Sequence, residues 1–231
     1  MITGAAPKEM EAVGDRSEHQ DRYERLFEYT TALRILLESD SAVTFEGKHY
    51  TYRNLQLKPT LPSSIQPLYF IAGSSESGRN TARTCSAVWL THPEPLEQYR
   101  GTYSCSPDRT GIRIGIIARR TDQEAWTAAE ERFQPSRFGL ALTAAGRKSP
   151  SHWIRSMAQL AERELYDGVY WMGAYRSGAA HNPYFVGSYD RVAEYMRGYI
   201  EHGVRQLGTD PAAAFCLLPR PNWAPPALSC P

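Results

Sequence analysis

The sequence predicts an α/β fold: a parallel sheet covered by helices, open or closed into a barrel. Three observations carry this. Leu68-Tyr69-Phe70-Ile71-Ala72, Ala87-Val88-Trp89-Leu90 and Arg113-Ile114-Gly115-Ile116-Ile117-Ala118 are short apolar runs of the kind found in strands buried on both faces. Segments of helical character, Glu76 to Thr84, Glu94 to Tyr99 and Gln123 to Phe133, alternate with them. The chain has 231 residues, 42% of them hydrophobic, which suffices for one sizeable core.

Taken in order, Ile2-Thr3-Gly4-Ala5-Ala6-Pro7 is short and turn-like, and Asp21 to Glu38 reads as a helix because Leu26, Phe27, Thr30, Leu33, Leu36 and Leu37 recur near helical spacing. Ala42-Val43-Thr44-Phe45 and His49-Tyr50-Thr51-Tyr52 flank Glu46-Gly47-Lys48, the composition of a β-hairpin turning at Gly47 outside the main core. Pro62 and Pro67 mark a linker, after which the strand and helix alternation begins. Thr121-Asp122 caps the helix Gln123 to Phe133, with Glu124 available to its first turn. From Gln134 to Ala180 the pattern gives way to a polar insert with one expected helix, Ser151 to Glu164, and an aromatic cluster at Tyr166, Tyr170, Trp171 and Tyr175 that reads as a lid. Tyr184 to Ser188 precedes a helix, Tyr189 to Gly203, with Val192, Tyr195, Met196 and Ile200 on one face and Gly203 at its end. Residues 208–231 hold six of the sixteen prolines and no periodicity, so a disordered tail is expected after a domain spanning 1–207 with an insert at about 134–180.

Composition narrows function. With 26 Lys+Arg against 25 Asp+Glu the formal net charge is +1, so no global field draws nucleic acid or an anionic membrane, and any anion site must be local. No apolar stretch approaches the roughly 20 residues that span a bilayer, and residues 1–30 show no secretory signal, so a cytoplasmic location is expected. The 4 Cys show no CxxC spacing and the 6 His no HxxxH or HExxH unit, which argues against a metal site.

The sharpest local signal is Tyr69-Phe70-Ile71-Ala72-Gly73-Ser74-Ser75-Glu76-Ser77-Gly78-Arg79: a buried strand, a small-residue turn and a helix start. Such a turn offers free N–H groups, the positive end of a helix and serine hydroxyls to a phosphate. The same letters also fit an ordinary turn with serine caps. His19 and Tyr23 stand four apart and can share a helix face. Arg113 and Arg176 carry guanidinium groups suited to an anion.

Several stretches together resemble the bacterial-luciferase-like, flavin-dependent monooxygenases, in particular the alkanesulfonate and nitrilotriacetate monooxygenase group. They are Ile2-Thr3-Gly4, His19 to Glu24, Phe45-Glu46-Gly47-Lys48-His49-Tyr50, Leu68 to Arg79, Gly111 to Arg119, Glu124-Ala125-Trp126 and Val186 to Tyr195, in order over residues 2–206. The resemblance implies a (β/α)8 barrel binding reduced FMN at the carboxyl ends of its strands. A separate flavin reductase would supply the FMN, O2 would add at flavin C4a, and the peroxyflavin would oxygenate a small organic, possibly anionic, substrate. It further implies that Gly73, Ser74 and Ser75 hold the flavin phosphate, that Thr3, His19 and Tyr23 line the flavin, and that Arg113 and Arg176 face the substrate anion and the flavin peroxide. The alkanesulfonate pattern has a histidine two residues beyond Arg113. Gly115 stands there instead, which argues against a sulfonate substrate and for a separate subgroup.

The resemblance begins near the fourth barrel strand and ends near Arg205-Gln206-Leu207, so the expected architecture is an incomplete barrel lacking the first three strands and a normal eighth strand. The divergent tail reads as translation in another frame. With strand edges unpaired, an inactive truncated product, an assembly partner or a homo-oligomer stands as an alternative, and a deazaflavin-dependent oxidoreductase on the same barrel is a further one.

Overall fold

The computed structural model describes residues 1–3, 7–102, 109–149 and 151–209. After α1 (Pro7–Ala12), α2 (His19–Glu38) runs for 20 residues and buries Tyr23, Leu26 and Thr30 on one face. The hairpin β1 (Val43–Glu46) and β2 (Thr51–Leu55) is a separate two-stranded sheet docked on α2. Its turn is held by one carboxylate: Glu28 of α2 accepts from the backbone N–H groups of Lys48, His49 and Tyr50 at 2.9, 2.7 and 2.6 Å.

The main sheet begins with β3 (Phe70–Ala72), then α3 (Glu76–Thr84), β4 (Val88–Thr91), α4 (Leu96–Thr102) and β5 (Thr110–Arg119). Next come α5 (Asp122–Arg132), with the expected capping box between Thr121 and Glu124, then α6 (Arg137–Gly146) and α7 (His152–Leu160). The chain continues through β6 (Leu165–Tyr166), β7 (Tyr170–Trp171), α8 (Gly173–Arg176), β8 (Tyr184–Ser188), α9 (Tyr189–Glu201) and β9 (Val204–Thr209). Gly203, at φ +98, ends α9 in a conformation that side chains rarely adopt. No described helix is long and apolar enough to cross a membrane.

β3, β4, β5 and β9 lie side by side and parallel, with Ala72, Leu90, Gly111 and Gln206 in one register row. The first residue extends the sheet outward. Met1 N donates to Phe70 O at 2.5 Å and Ala72 N to Met1 O at 3.0 Å, the bonding pattern of a parallel neighbour centred on Ile71. β5 is long enough to serve three partners: its first half pairs with β4 and β9, and Gly115–Arg119 pair in parallel with β8, beyond which β7 and β6 run antiparallel.

Two of the three buried clusters lie on the helix side of the sheet's first half, and the third packs Ile117 against Ala125 and Ala129 of α5. Ile71 and Trp89 pack with Tyr23, Leu26 and Ala82 of α2 and α3, while Ile112 and Ile114 pack with Leu96, Tyr99, Val192 and Tyr199 of α4 and α9. The opposite, concave face carries Val88, Leu90, Gly111 and Gln206, since a Cβ at Gly111 would lie 3.1–3.2 Å from those three side chains. On that face Phe70, Ala72, Leu90 and Gln206 are only half-buried.

The insert departs from expectation in two ways. It holds three helices, α6, α7 and the one-turn α8, rather than one, and α7 stops at Leu160, short of Glu164, whose carbonyl instead accepts from Met172 N at 2.7 Å as the chain turns through β6 and β7. Its aromatic cluster is core rather than lid: Tyr170 is 0% and Trp171 4% exposed. Most of the tail, residues 210–231, lies outside the described residues, and residues 208 and 209 complete β9.

Candidate cofactor and substrate site

The parallel register sets what stands at the carboxyl ends of the strands. One step beyond the row Ala72, Leu90, Gly111 come Gly73, Thr91 and Ile112, and one step further Ser74, His92 and Arg113. Met1 pairs beside Ile71, and Thr3 follows it two residues along the chain. The predicted turn and Arg113 therefore share one rim.

At the turn, Ser75 is the N-cap of α3: its Oγ accepts from Gly78 N at 3.2 Å and lies 3.2 Å from the Tyr23 hydroxyl. Tyr23 reaches this point because α2 packs its buried face against α3 and β3. The two glycines of the turn make room for the phenol, since a Cβ at Gly73 would stand 2.6 Å, and one at Gly78 2.9 Å, from its oxygen. His19, one helical turn before Tyr23, tilts against it with ring centroids 5.0 Å apart. Trp89 Nε1 donates to Gly73 O at 2.5 Å and fixes the end of β3. Small residues, two hydroxyls and the first-turn N–H groups of a helix fit a phosphate.

Sequence reasoning missed His152. From the first turn of α7 its Nδ1 lies 3.3 Å from Ser74 Oγ, so the insert touches the turn through this residue, 78 positions away in the chain. Its neighbour Trp153 stacks obliquely on His92, centroids 4.9 Å apart. His92 Nε2 is 2.8 Å from Asn182 Oδ1, and Asn182 is 0% exposed. Burial first, and the charges of Arg113 and His181 after it, push the His92 ring down to about 4 against the opposing pull of the Asn182 bond, so the ring is neutral at neutral pH. The loop after His92 is braced by tyrosine hydroxyls: Tyr170 donates to Pro93 O at 2.8 Å and Tyr199 to Glu94 O at 2.6 Å. Neither His92 nor Asn182 stands in a motif, so no local signal marks them.

Arg113 is exposed, alone in a run from Thr110 to Ala118 that is otherwise buried. Arg176 does not join it here. Its guanidinium bonds Glu164 at 2.8 Å, and Glu164 also accepts from Trp171 Nε1 at 3.2 Å. These residues line a separate cavity of about 490 Å³ with Phe133 and Leu140. Gly115 has a structural reason: a Cβ there would fall 2.3 Å from the ring of Tyr184, its register partner on β8.

The pattern of the luciferase-like monooxygenase family matches residues 1–206. Among characterised proteins, the 4-(gamma-L-glutamylamino)butanoyl-[BtrI acyl-carrier protein] monooxygenase BtrO of Niallia circulans is 41% identical over 213 residues, 90% of this chain and 62% of that protein. The chain thus spans less than two thirds of that relative. Among solved structures, riboflavin lyase RcaE superposes with a TM-score of 0.63 at 15% identity, over 91% of this chain and 59% of its own. EDTA monooxygenase of Chelativorans sp. BNC1 does so with 0.61 at 17%, over 91% and 61%. Both support the fold, an incomplete (β/α)8 barrel, and with the match over residues 1–206 the chain belongs to the luciferase-like monooxygenase family.

Proposed function

We propose that this chain forms the second half of the barrel of a flavin-dependent monooxygenase that takes reduced FMN from a separate reductase and oxygenates a small organic substrate with O2. Flavin binding is typical of the family. When bound, reduced FMN would supply oxygen activation. Ser74, Ser75 and the first-turn N–H groups of α3 bind its phosphate, with Gly73 giving the close approach, and Tyr23, His19 and Thr3 flank the flavin. Arg113 holds an anionic group at the rim, and Arg176 adds a second cation from the insert when Glu164 releases it. The 41% identical relative is named for an acyl group on a carrier protein, and we extend that class, a carrier-bound acyl chain with an amide, to this chain's substrate.

The observation that carries this reading is the meeting of Tyr23 from α2 and His152 from α7 on adjacent serines of one turn, which closes a small-residue turn from two sides. The test is an FMN fluorescence titration of the soluble chain. Saturable binding weakened about tenfold by Ser74→Ala, a loss of one charge-assisted hydrogen bond, supports the phosphate assignment. An unchanged dissociation constant would sink it. Preference for a deazaflavin would favour the dehydrogenase branch. A folded chain that binds neither would favour the non-catalytic assembly partner, a reading that the half-buried concave face supports.

A further inference from the structure

Five buried side-chain polar atoms have no hydrogen-bond partner among the described residues, and two of them belong to groups lying against His92: Nδ2 of Asn182 and Nε1 of Trp153. Buried N–H donors left unmet cost free energy, and native proteins meet nearly all of theirs. Two such donors around one ring call for an acceptor. His92 does not supply it: its Nε2 is engaged by Asn182 Oδ1 at 2.8 Å, and neither ring nitrogen bonds to Asn182 Nδ2 or Trp153 Nε1. Arg113 reaches the same ring electrostatically and follows Ile112 on β5 as His92 follows Thr91, the register partner of Ile112, on β4. Trp153 directly follows His152, which contacts Ser74, so this cluster borders the phosphate turn.

We infer that Asn182, Trp153 and Arg113 form a subsite for a carbonyl oxygen of the substrate, an amide or acyl C=O, with His92 as the positioning residue that orients the Asn182 amide. Neutral N–H donors suit a neutral acceptor, and the adjacent guanidinium suits the negative end of the same group or a carboxylate beyond it. No bond is made or broken at the subsite. The inference rests on the proposed monooxygenase reading for the identity of the ligand as substrate, and its test is separable from the flavin titration.

The probe is 4-acetamidobutanoate, which carries one amide carbonyl and one carboxylate, added to the nitrogen-15-labelled chain. The indole N–H resonance of Trp153, assigned from Trp153→Phe, is expected to shift saturably. Trp153→Phe keeps an aromatic ring without the N–H and Asn182→Leu keeps the volume, and each is expected to weaken binding of the probe about tenfold, as loss of one buried hydrogen bond does. FMN affinity is expected to be unchanged in both, because neither residue touches the serines of the turn. An indole resonance that does not move at saturating probe, or the parent's affinity retained in both variants, would overturn the subsite and leave the two donors to water. FMN binding without probe binding defeats this inference alone. Probe binding without FMN binding keeps the subsite and defeats the flavin reading.

Discussion

Ser75 shows how one hydroxyl serves structure before function. Its oxygen caps α3 and contacts the Tyr23 phenol, so Ser75→Ala should lower stability by about 1 kcal/mol in urea denaturation whether or not a phosphate binds. Ser75→Asp retains an N-cap acceptor but places a negative charge in the turn, so it should hold stability near that of the parent while losing FMN binding. An aspartate variant that binds FMN normally would remove the anion from this turn. His92 gives the pH dependence. Its folded value, about 4, lies below the ordinary histidine value near 6.5, so the native state binds fewer protons than the unfolded chain. The stabilisation is complete above about pH 6.5 and drains as pH falls toward 4, by on the order of 3 kcal/mol. His92→Gln should flatten that part of the stability profile relative to the parent, and parallel profiles would refute a desolvated neutral ring. The other groups facing it are Arg113, His181 and the uncharged Asn182, so no carboxylate offsets the effect among the causes of the shift.

At the scale of elements, the long strand β5 and its exchange of partners explain the departure from the alkanesulfonate pattern. Beyond Ile114 the strand leaves β9 and pairs with β8, which seats Tyr184, 1% exposed and edge-on to Phe133 at 4.8 Å, over Gly115. Gly115→His should therefore cost at least about 2 kcal/mol by overpacking, read as a lowered urea midpoint. A tolerated histidine would mean that Tyr184 swings away easily. The same elements show what the letters could reveal. The βα alternation, the α2 helix, the Thr121 capping box and the Gly73 to Ser75 turn follow from short-range rules and were legible. The helix α6 was not, because its buried positions are Gly139, Thr143 and Gly146 while Phe138, Leu140 and Leu142 face outward, so its apolar period points away from its packing. The pairs His152 with Ser74 and His92 with Asn182 span 78 and 90 residues and leave no periodic trace. The aromatic run at Tyr170 and Trp171 looked like a lid because composition marks aromatics without saying which face they cover. Folding buries both, and Tyr170 braces the loop after β4.

For the whole molecule, the question is where stability comes from when a barrel sheet is incomplete. In a closed barrel the interior is a packed core, and each strand is buried on both faces. Here the two faces differ. Ile71, 0% exposed, packs outward against α2 and α3, while Leu90, half-buried, faces the concave side. Ile71→Ala should then cost about 3 kcal/mol, the usual range for a buried aliphatic truncation, and Leu90→Ala about 1 kcal/mol, because much of its surface is already in contact with water. Joining to this chain the part of the 41% identical relative that it does not span would cover the concave face. In that longer protein Leu90→Ala should become as costly as Ile71→Ala, while the Ile71 value should stay where it is. Urea denaturation of the four variants, two in each chain length, measures this directly. Equal costs in the short chain would show that something already covers the concave face, and the first place to look would be a second copy of the chain, detected as a concentration-dependent midpoint.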